Sequence, residues 1–207
     1  MTTTPSDGRP PVWRRLLFPA VVAVIAIGAA VATLAYLRPG SSDAIASIGG
    51  PFTLTTQTGA KLSDTDLKGK PFGVFFGFTH CPEVCPTTLT EMTQSLKELG
   101  PEADNLKLLF ISVDPTRDTP EFLSLYLQSF DPRIVGLTGT EAEIAAVGKE
   151  YRAFWEKVPL ADGDYTMNHT ATIFLMDAKG RFTGTIAYGE DVKTRVAKLK
   201  RLVVGSA

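Results

Sequence analysis

Cys81 and Cys85 are the only cysteines in this 207-residue chain, and they stand four positions apart in Cys81-Pro82-Glu83-Val84-Cys85-Pro86. An offset of four puts two side chains on one side of a helical turn, so both sulfurs can reach a single point. The hexapeptide follows an apolar, aromatic run at residues 72–79 and precedes a segment with helical periodicity from residue 86. A helix N-terminus presents unpaired N–H groups and the positive end of a dipole, and both favour thiolate over thiol. Thiolate is the form that ligates metal and the form that attacks a disulfide, so the pair suits either task. A purely structural disulfide explains it poorly, because closing so short a loop removes little chain entropy.

Metal binding asks for a further donor. Structural zinc takes four protein ligands, and the sequence holds no third cysteine. Two thiolates and an imidazole suit copper, with Cu(I) accepting low coordination numbers among soft donors. The histidines are His80 and His169. Neighbouring side chains on an extended chain alternate in direction, so His80, next to Cys81, is expected to point away as a packing or loop residue. His169 lies in Asp164-Tyr165-Thr166-Met167-Asn168-His169-Thr170, just before an expected strand. It reads either as the third ligand, on a loop facing the cysteine-bearing turn, or as a surface-loop histidine. Met92 and Met176 read as packing residues, and Met167 as a non-ligand. Phe75, Phe76 and Phe78 are assigned to the core, with Phe78 shielding the sulfurs. Asp114 is either a turn residue before Pro115 or a group that docks a partner or supports the site.

The elements that must position these residues follow from pattern. Residues 52–54 and 61–63 flank Thr58-Gly59 as a hairpin. Residues 72–79 and 106–113 are dense apolar runs, as in strands buried on both faces. Between them residues 86–99 form a helix, with Thr88 and Glu91 at capping-box spacing and Gly100-Pro101 as its stop. Thr119-Pro120-Glu121 opens a second helix. Residues 134–137 are a short strand, and Thr140 with Glu143 starts a third helix. Residues 171–176 and 182–187 make a hairpin around Asp177-Ala178-Lys179-Gly180, and a basic amphipathic helix spans residues 192–204. This order predicts an α/β fold: a thioredoxin-like mixed sheet with helices on both faces.

Residues 16–37 carry no charge and are long enough to cross a bilayer as one N-terminal transmembrane helix. A cleavable signal peptide is the alternative, with small residues at 30–32 and 33–35. Arg9, Arg14 and Arg15 precede the span and only Arg38 closely follows it. The positive-inside rule then leaves residues 1–15 as a cytoplasmic tail and exports residues 38–50, a Gly/Ser-rich linker, and the domain at 51–207. With 21 Lys+Arg against 22 Asp+Glu, the charge balance gives no reason to expect a nucleic-acid partner.

Three blocks in order make a specific signature: residues 76–89 around the cysteines, Ser112-Val113-Asp114-Pro115-Thr116-Arg117-Asp118-Thr119-Pro120, and residues 165–182 around His169. The chain resembles the Sco/SenC family of cytochrome oxidase assembly proteins, from Phe52 to about Leu199. The resemblance implies a thioredoxin-like fold and a membrane anchor, in bacteria an inner-membrane one facing the periplasm. It implies copper, as Cu(I) or Cu(II), held by Cys81, Cys85 and His169. It also implies delivery to the dinuclear copper centre of cytochrome c oxidase subunit II, supply by an upstream copper donor, and thiol–disulfide exchange by the redox-active pair. Two positions depart from the family's usual residues: Glu83 and Asn168 each stand where Asp is common. A metallochaperone needs His169 as well as both cysteines, whereas a membrane-anchored thiol–disulfide oxidoreductase needs only the cysteines. A thiol peroxidase is disfavoured, since Phe78 and Pro82, not Thr, precede the cysteines by three.

Overall fold

The structure, a computed structural model, describes residues 25–29, 33, 48–161 and 163–205. The chain divides into two units, Met1–Ala46 and Ser47–Ala207. In the first, residues 25–29 and 33 are helical, while the rest of the expected span at 16–37 lies outside the described residues. Among the described residues no helix is long and apolar enough to cross a membrane.

The second unit is an α/β domain. Its strands are β1 (Thr53–Thr56), β2 (Lys61–Ser63), β3 (Phe72–Gly77), β4 (Lys107–Ser112), β5 (Ile134–Thr138), β6 (Trp155–Pro159), β7 (Tyr165–His169), β8 (Thr172–Met176) and β9 (Phe182–Ala187). Its α-helices are α1 (Val84–Leu99), α2 (Pro120–Leu127), α3 (Glu141–Tyr151) and α4 (Val192–Val204). Seven strands form one sheet in the order β2-β1-β5-β4-β3-β8-β9. β3, β4 and β5 run parallel, and the pairings outside them are antiparallel. β6 and β7 make a separate antiparallel ribbon.

Strand alternation sorts the helices. Phe75 lies opposite Phe110 in the register, and the Phe110 ring stacks on Tyr126 of α2 at 6.0 Å. Gly77 shares that face, where a Cβ would stand 2.8 Å from the Cys85 sulfur of α1. α4 joins the same layer, since buried Arg195 donates to Ser95 and Glu91 of α1. Phe76 faces the other way, edge-on to Tyr151 of α3 and stacked on Trp155 of β6. Helices therefore cover both faces, and the thioredoxin-like mixed sheet expected from pattern is what forms.

Caps act where the sequence places them for α2 and α3, and one also forms at α4: Thr119, Thr140 and Asp191 each accept a backbone N–H of the first turn. For α1 the expectation is corrected. The helix begins at Val84 rather than residue 86, so Thr88 and Glu91 are no capping box. Thr88 is buried, and Glu91 pairs with Arg195. Pro86 misleads because proline fits inside a first turn, where its missing N–H has no intrahelical partner to lose. A second correction concerns His169, expected on a loop but found at the end of the β6–β7 ribbon, for which the pattern offers no strand. Its strands, WEKVP and YTMNH, carry too little apolar alternation to announce themselves.

Candidate metal centre

β3 brings the chain to the end of the sheet, and a turn closed by Cys81 N–H on the Phe78 carbonyl starts the cysteine motif. Because α1 begins at Val84, Cys85 occupies its first turn, fully buried beneath the sheet end. The N–H of Cys85 has no partner within the helix and donates to the Cys81 sulfur at 3.3 Å. Gly77 is what admits the Cys85 sulfur so close to β3; a methyl group there would also stand 2.6 Å from the Phe110 ring.

His169 ends β7, on a strand and not on a loop, and its Nε2 lies 3.4 Å from the Cys85 sulfur. Its Nδ1 faces the Thr170 carbonyl oxygen at 3.2 Å. A carbonyl only accepts, so in the neutral imidazole the proton sits on Nδ1 and the Nε2 lone pair is left for the sulfur side. Phe78 and Phe75 meet the imidazole edge-on, with centroids 5.7 and 6.0 Å away, and hold its plane. The donor atoms of Cys81, Cys85 and His169 all lie within 4.8 Å of one another, close enough to share one ion.

The two sulfurs are unlike. Cys81 is half-buried and Cys85 buried. The Cys85 thiol donates to the Cys81 sulfur and holds the Cys81 pKa down to about 4, with burial opposing and nearby backbone N–H groups assisting. That same bond, with burial and the Cys81 charge, pushes the Cys85 thiol far up. The pair rests as one thiolate and one thiol.

The remaining candidates separate cleanly. His80 turns away as expected, stacking on Phe122 at 5.4 Å with its Nδ1 3.1 Å from the Thr79 hydroxyl. Met92 and Met176 are core residues, and Met167 packs against the core. Asn168 donates to Glu156 across the ribbon at 2.9 Å. Asp114 is buried, accepting from Arg117 Nε and from the Tyr165 hydroxyl. The sequence reading passed over Asp118, fully buried beside the motif. It accepts from Thr79 N–H and Oγ1 and from Ser112 Oγ, and burial raises its pKa. Its setting before Thr-Pro looks like a helix lead-in, and only the fold shows that it is enclosed.

The SCO1/SenC family model matches residues 41–204. The chain belongs to this family. The mitochondrial human SCO1 homolog is 43% identical over 138 residues, 65% of this chain and 46% of that protein. The chain thus spans about half the length of that relative. The structure of Bradyrhizobium japonicum ScoI with copper bound is 52% identical, covering 75% of this chain and 99% of that one, at TM-score 0.71. BsSco, a Sco-family cytochrome c oxidase assembly protein with a disulfide switch, is 25% identical over 77% of this chain and 95% of that one, at TM-score 0.61. The Sco-type fold therefore extends over about three quarters of the chain, and the cysteine pair and His169 lie within the residues that the family model matches.

Proposed function

We propose that this Sco/SenC protein carries copper on Cys81, Cys85 and His169 and delivers it to the dinuclear copper centre of cytochrome c oxidase subunit II. The observation that carries the reading is two sulfurs and an imidazole within 4.8 Å of one another, built from three separate elements of the fold. Two thiolates suit Cu(I), and adding an imidazole nitrogen suits Cu(II). Cys81 is already ionised, so engaging both sulfurs requires the loss of one proton, from Cys85. Half-exposed Cys81 is the donor an incoming client ligand can reach first. An upstream donor protein loads the site. A single N-terminal span keeps the domain at the periplasmic face of the inner membrane, as the arginine distribution indicates.

A second reading is supported by the unequal sulfurs. The Cys81 thiolate would attack a client disulfide, forming a mixed disulfide and releasing one client thiolate. Cys85 would then lose its proton and attack the Cys81 sulfur, releasing the second client thiolate and leaving a Cys81–Cys85 disulfide. His169→Ala separates the two readings, because it removes the imidazole and spares both thiols. The chaperone reading expects loss of stable Cu(II) binding, with its thiolate-to-copper absorption, and impaired oxidase assembly. A variant that lacks Cu(II) binding yet assembles the oxidase at wild-type levels would promote the reductase.

A further inference from the structure

The β6–β7 ribbon carries His169 but makes few contacts of its own with the main sheet. A two-stranded ribbon is marginal in isolation, so its orientation depends on what fixes its two ends. The end at His169 is held by Trp155, the cross-strand partner of His169, whose ring stacks on Phe76. There the Thr170 N–H also donates to the Phe154 carbonyl, and the Phe154 N–H to Thr170 Oγ1. The far end, where β7 begins at Tyr165, is held by a different device.

The Tyr165 hydroxyl donates to Asp114 Oδ1 at 2.9 Å. Arg117 locks the other oxygen of Asp114 through Nε, and its Nη1 donates to the Tyr165 carbonyl at 3.1 Å and to Asp164 Oδ1 at 3.3 Å. The guanidinium also lies over the Tyr165 ring, 3.7 Å from its centroid, and Lys157 lies 3.4 Å from the same centroid. Arg117 Nη2 is buried with no partner among the described residues. An arginine held this way is fixed by its other bonds, despite one unmet donor. Asp114 and Arg117 stand between β4 and α2, so the loop on the main sheet grips the ribbon at a point four residues from His169.

We propose that Asp114, Arg117 and Tyr165 form a clamp that positions His169 against the two sulfurs, and thereby sets how strongly the site holds Cu(II) relative to Cu(I). Tyr165, Met167 and His169 alternate onto one face of β7. Fixing the Tyr165 ring at one end and Trp155 at the other leaves the strand little freedom to swing the imidazole. With the clamp released, the ribbon pivots on Trp155 and the imidazole samples positions off the sulfurs. Cu(I) tolerates this, because two thiolates satisfy it; Cu(II) does not. The clamp makes no contact with the ion and acts only through His169.

This inference rests on the copper reading, and the experiment keeps the two distinguishable. Tyr165→Phe removes one hydroxyl and keeps the ring beside its two cations; Arg117→Gln removes the guanidinium's bonds to Asp114, Asp164 and the Tyr165 carbonyl and its contact with the ring. Wild type, each single variant, His169→Ala and the His169→Ala/Tyr165→Phe double variant are compared by competition for Cu(II) and Cu(I) and by thiolate-to-copper absorption. In reduced, metal-free protein the His169 ring resonances and the Cys81 alkylation rate are recorded. Tyr165→Phe is expected to weaken Cu(II) binding about tenfold, the worth of one hydrogen bond to a charged group, with Cu(I) affinity within about twofold. Its metal-free protein should show shifted or broadened His169 resonances at unchanged Cys81 reactivity. In the His169→Ala background the same change should have no further effect on either ion. Equal loss of both ions, an effect that persists without His169, or unaltered His169 resonances in both clamp variants would overturn the clamp. Failure of wild type to bind Cu(II) through its thiolates would overturn the copper reading, while the metal-free resonances would still judge the clamp.

Discussion

Cys81 and Cys85 have the same side chain and opposite ionisation, and the difference comes from one helical turn. Starting α1 at Val84 places the Cys85 sulfur in the core and turns its N–H toward the Cys81 sulfur. A thiol with its folded pKa lowered to about 4 is thiolate throughout the neutral range. The stability this shift contributes is complete above the ordinary thiol range, and it is lost as pH falls through about 4. Alkylation of the reduced, metal-free protein should therefore modify Cys81 first and keep its rate down to about pH 5, where an ordinary thiol near 8.5 has become unreactive. Mass mapping after a short pulse checks this; a rate that drops with an ordinary thiol's pH profile would refute it. Asp118 is the second residue whose environment decides its behaviour. Its raised pKa means that it favours the folded state most below the usual carboxylate range, and that this contribution is lost as pH rises. In the structure it accepts from three buried donors. Asp118→Ala should cost about 2–4 kcal/mol in urea unfolding by leaving them without a partner, and Asp118→Asn less than about 1.5 kcal/mol.

At the scale of elements, the centre is where α1, the end of β3 and the β6–β7 ribbon meet, and two glycines allow the approach. Gly77 sits under Cys85, and Gly148 of α3 sits under Trp155, where a Cβ would stand 2.2 Å from the indole. That ring cannot retreat easily, because its other side stacks on Phe76. Gly148→Ala should thus push the His169 end of the ribbon outward, lowering stability by about 1–3 kcal/mol and weakening Cu(II) more than Cu(I). Thermal unfolding beside paired metal competitions tests it, and a stability loss with an unchanged Cu(II)/Cu(I) ratio would detach the ribbon's base from the site. Gly77→Ala presses on the cysteine itself and should weaken both ions together.

At the scale of the molecule, the buried core among the described residues runs as one cluster from Phe52 to Leu202, inside the second unit. A protein starting at Ser47 should consequently unfold in one cooperative transition, with calorimetric and van't Hoff enthalpies agreeing. Two separated transitions would show that the second unit holds more than one cooperative core. The anchor is tested in cells. A C-terminal reporter should be active outside the cytoplasm and stay with the membrane fraction after a carbonate wash. Recovery of a mature form beginning near Thr33 or Tyr36 would replace the anchor by a cleaved signal.

The local signals in this chain are strong, and what they determine is the order of elements and the identity of the donors. Strand runs, caps at Thr119 and Thr140 and the spacing of Cys81 and Cys85 are each written within a few neighbouring residues. His169 could be nominated from residue type and family resemblance, yet its approach to Cys85 joins positions 84 residues apart. No local pattern encodes a distance of that kind. The same holds for the enclosure of Asp118, for the grip of Arg117 and Asp114 on Tyr165, and for a ribbon whose strands alternate too weakly to be seen. Even the start of α1 is misplaced by residue types, because Pro86 fits inside a first turn as well as at its edge. Burial, and the pairing of groups from distant strands, exist only once the sheet has closed, and at this site they separate a bare pair of thiols from a three-donor centre.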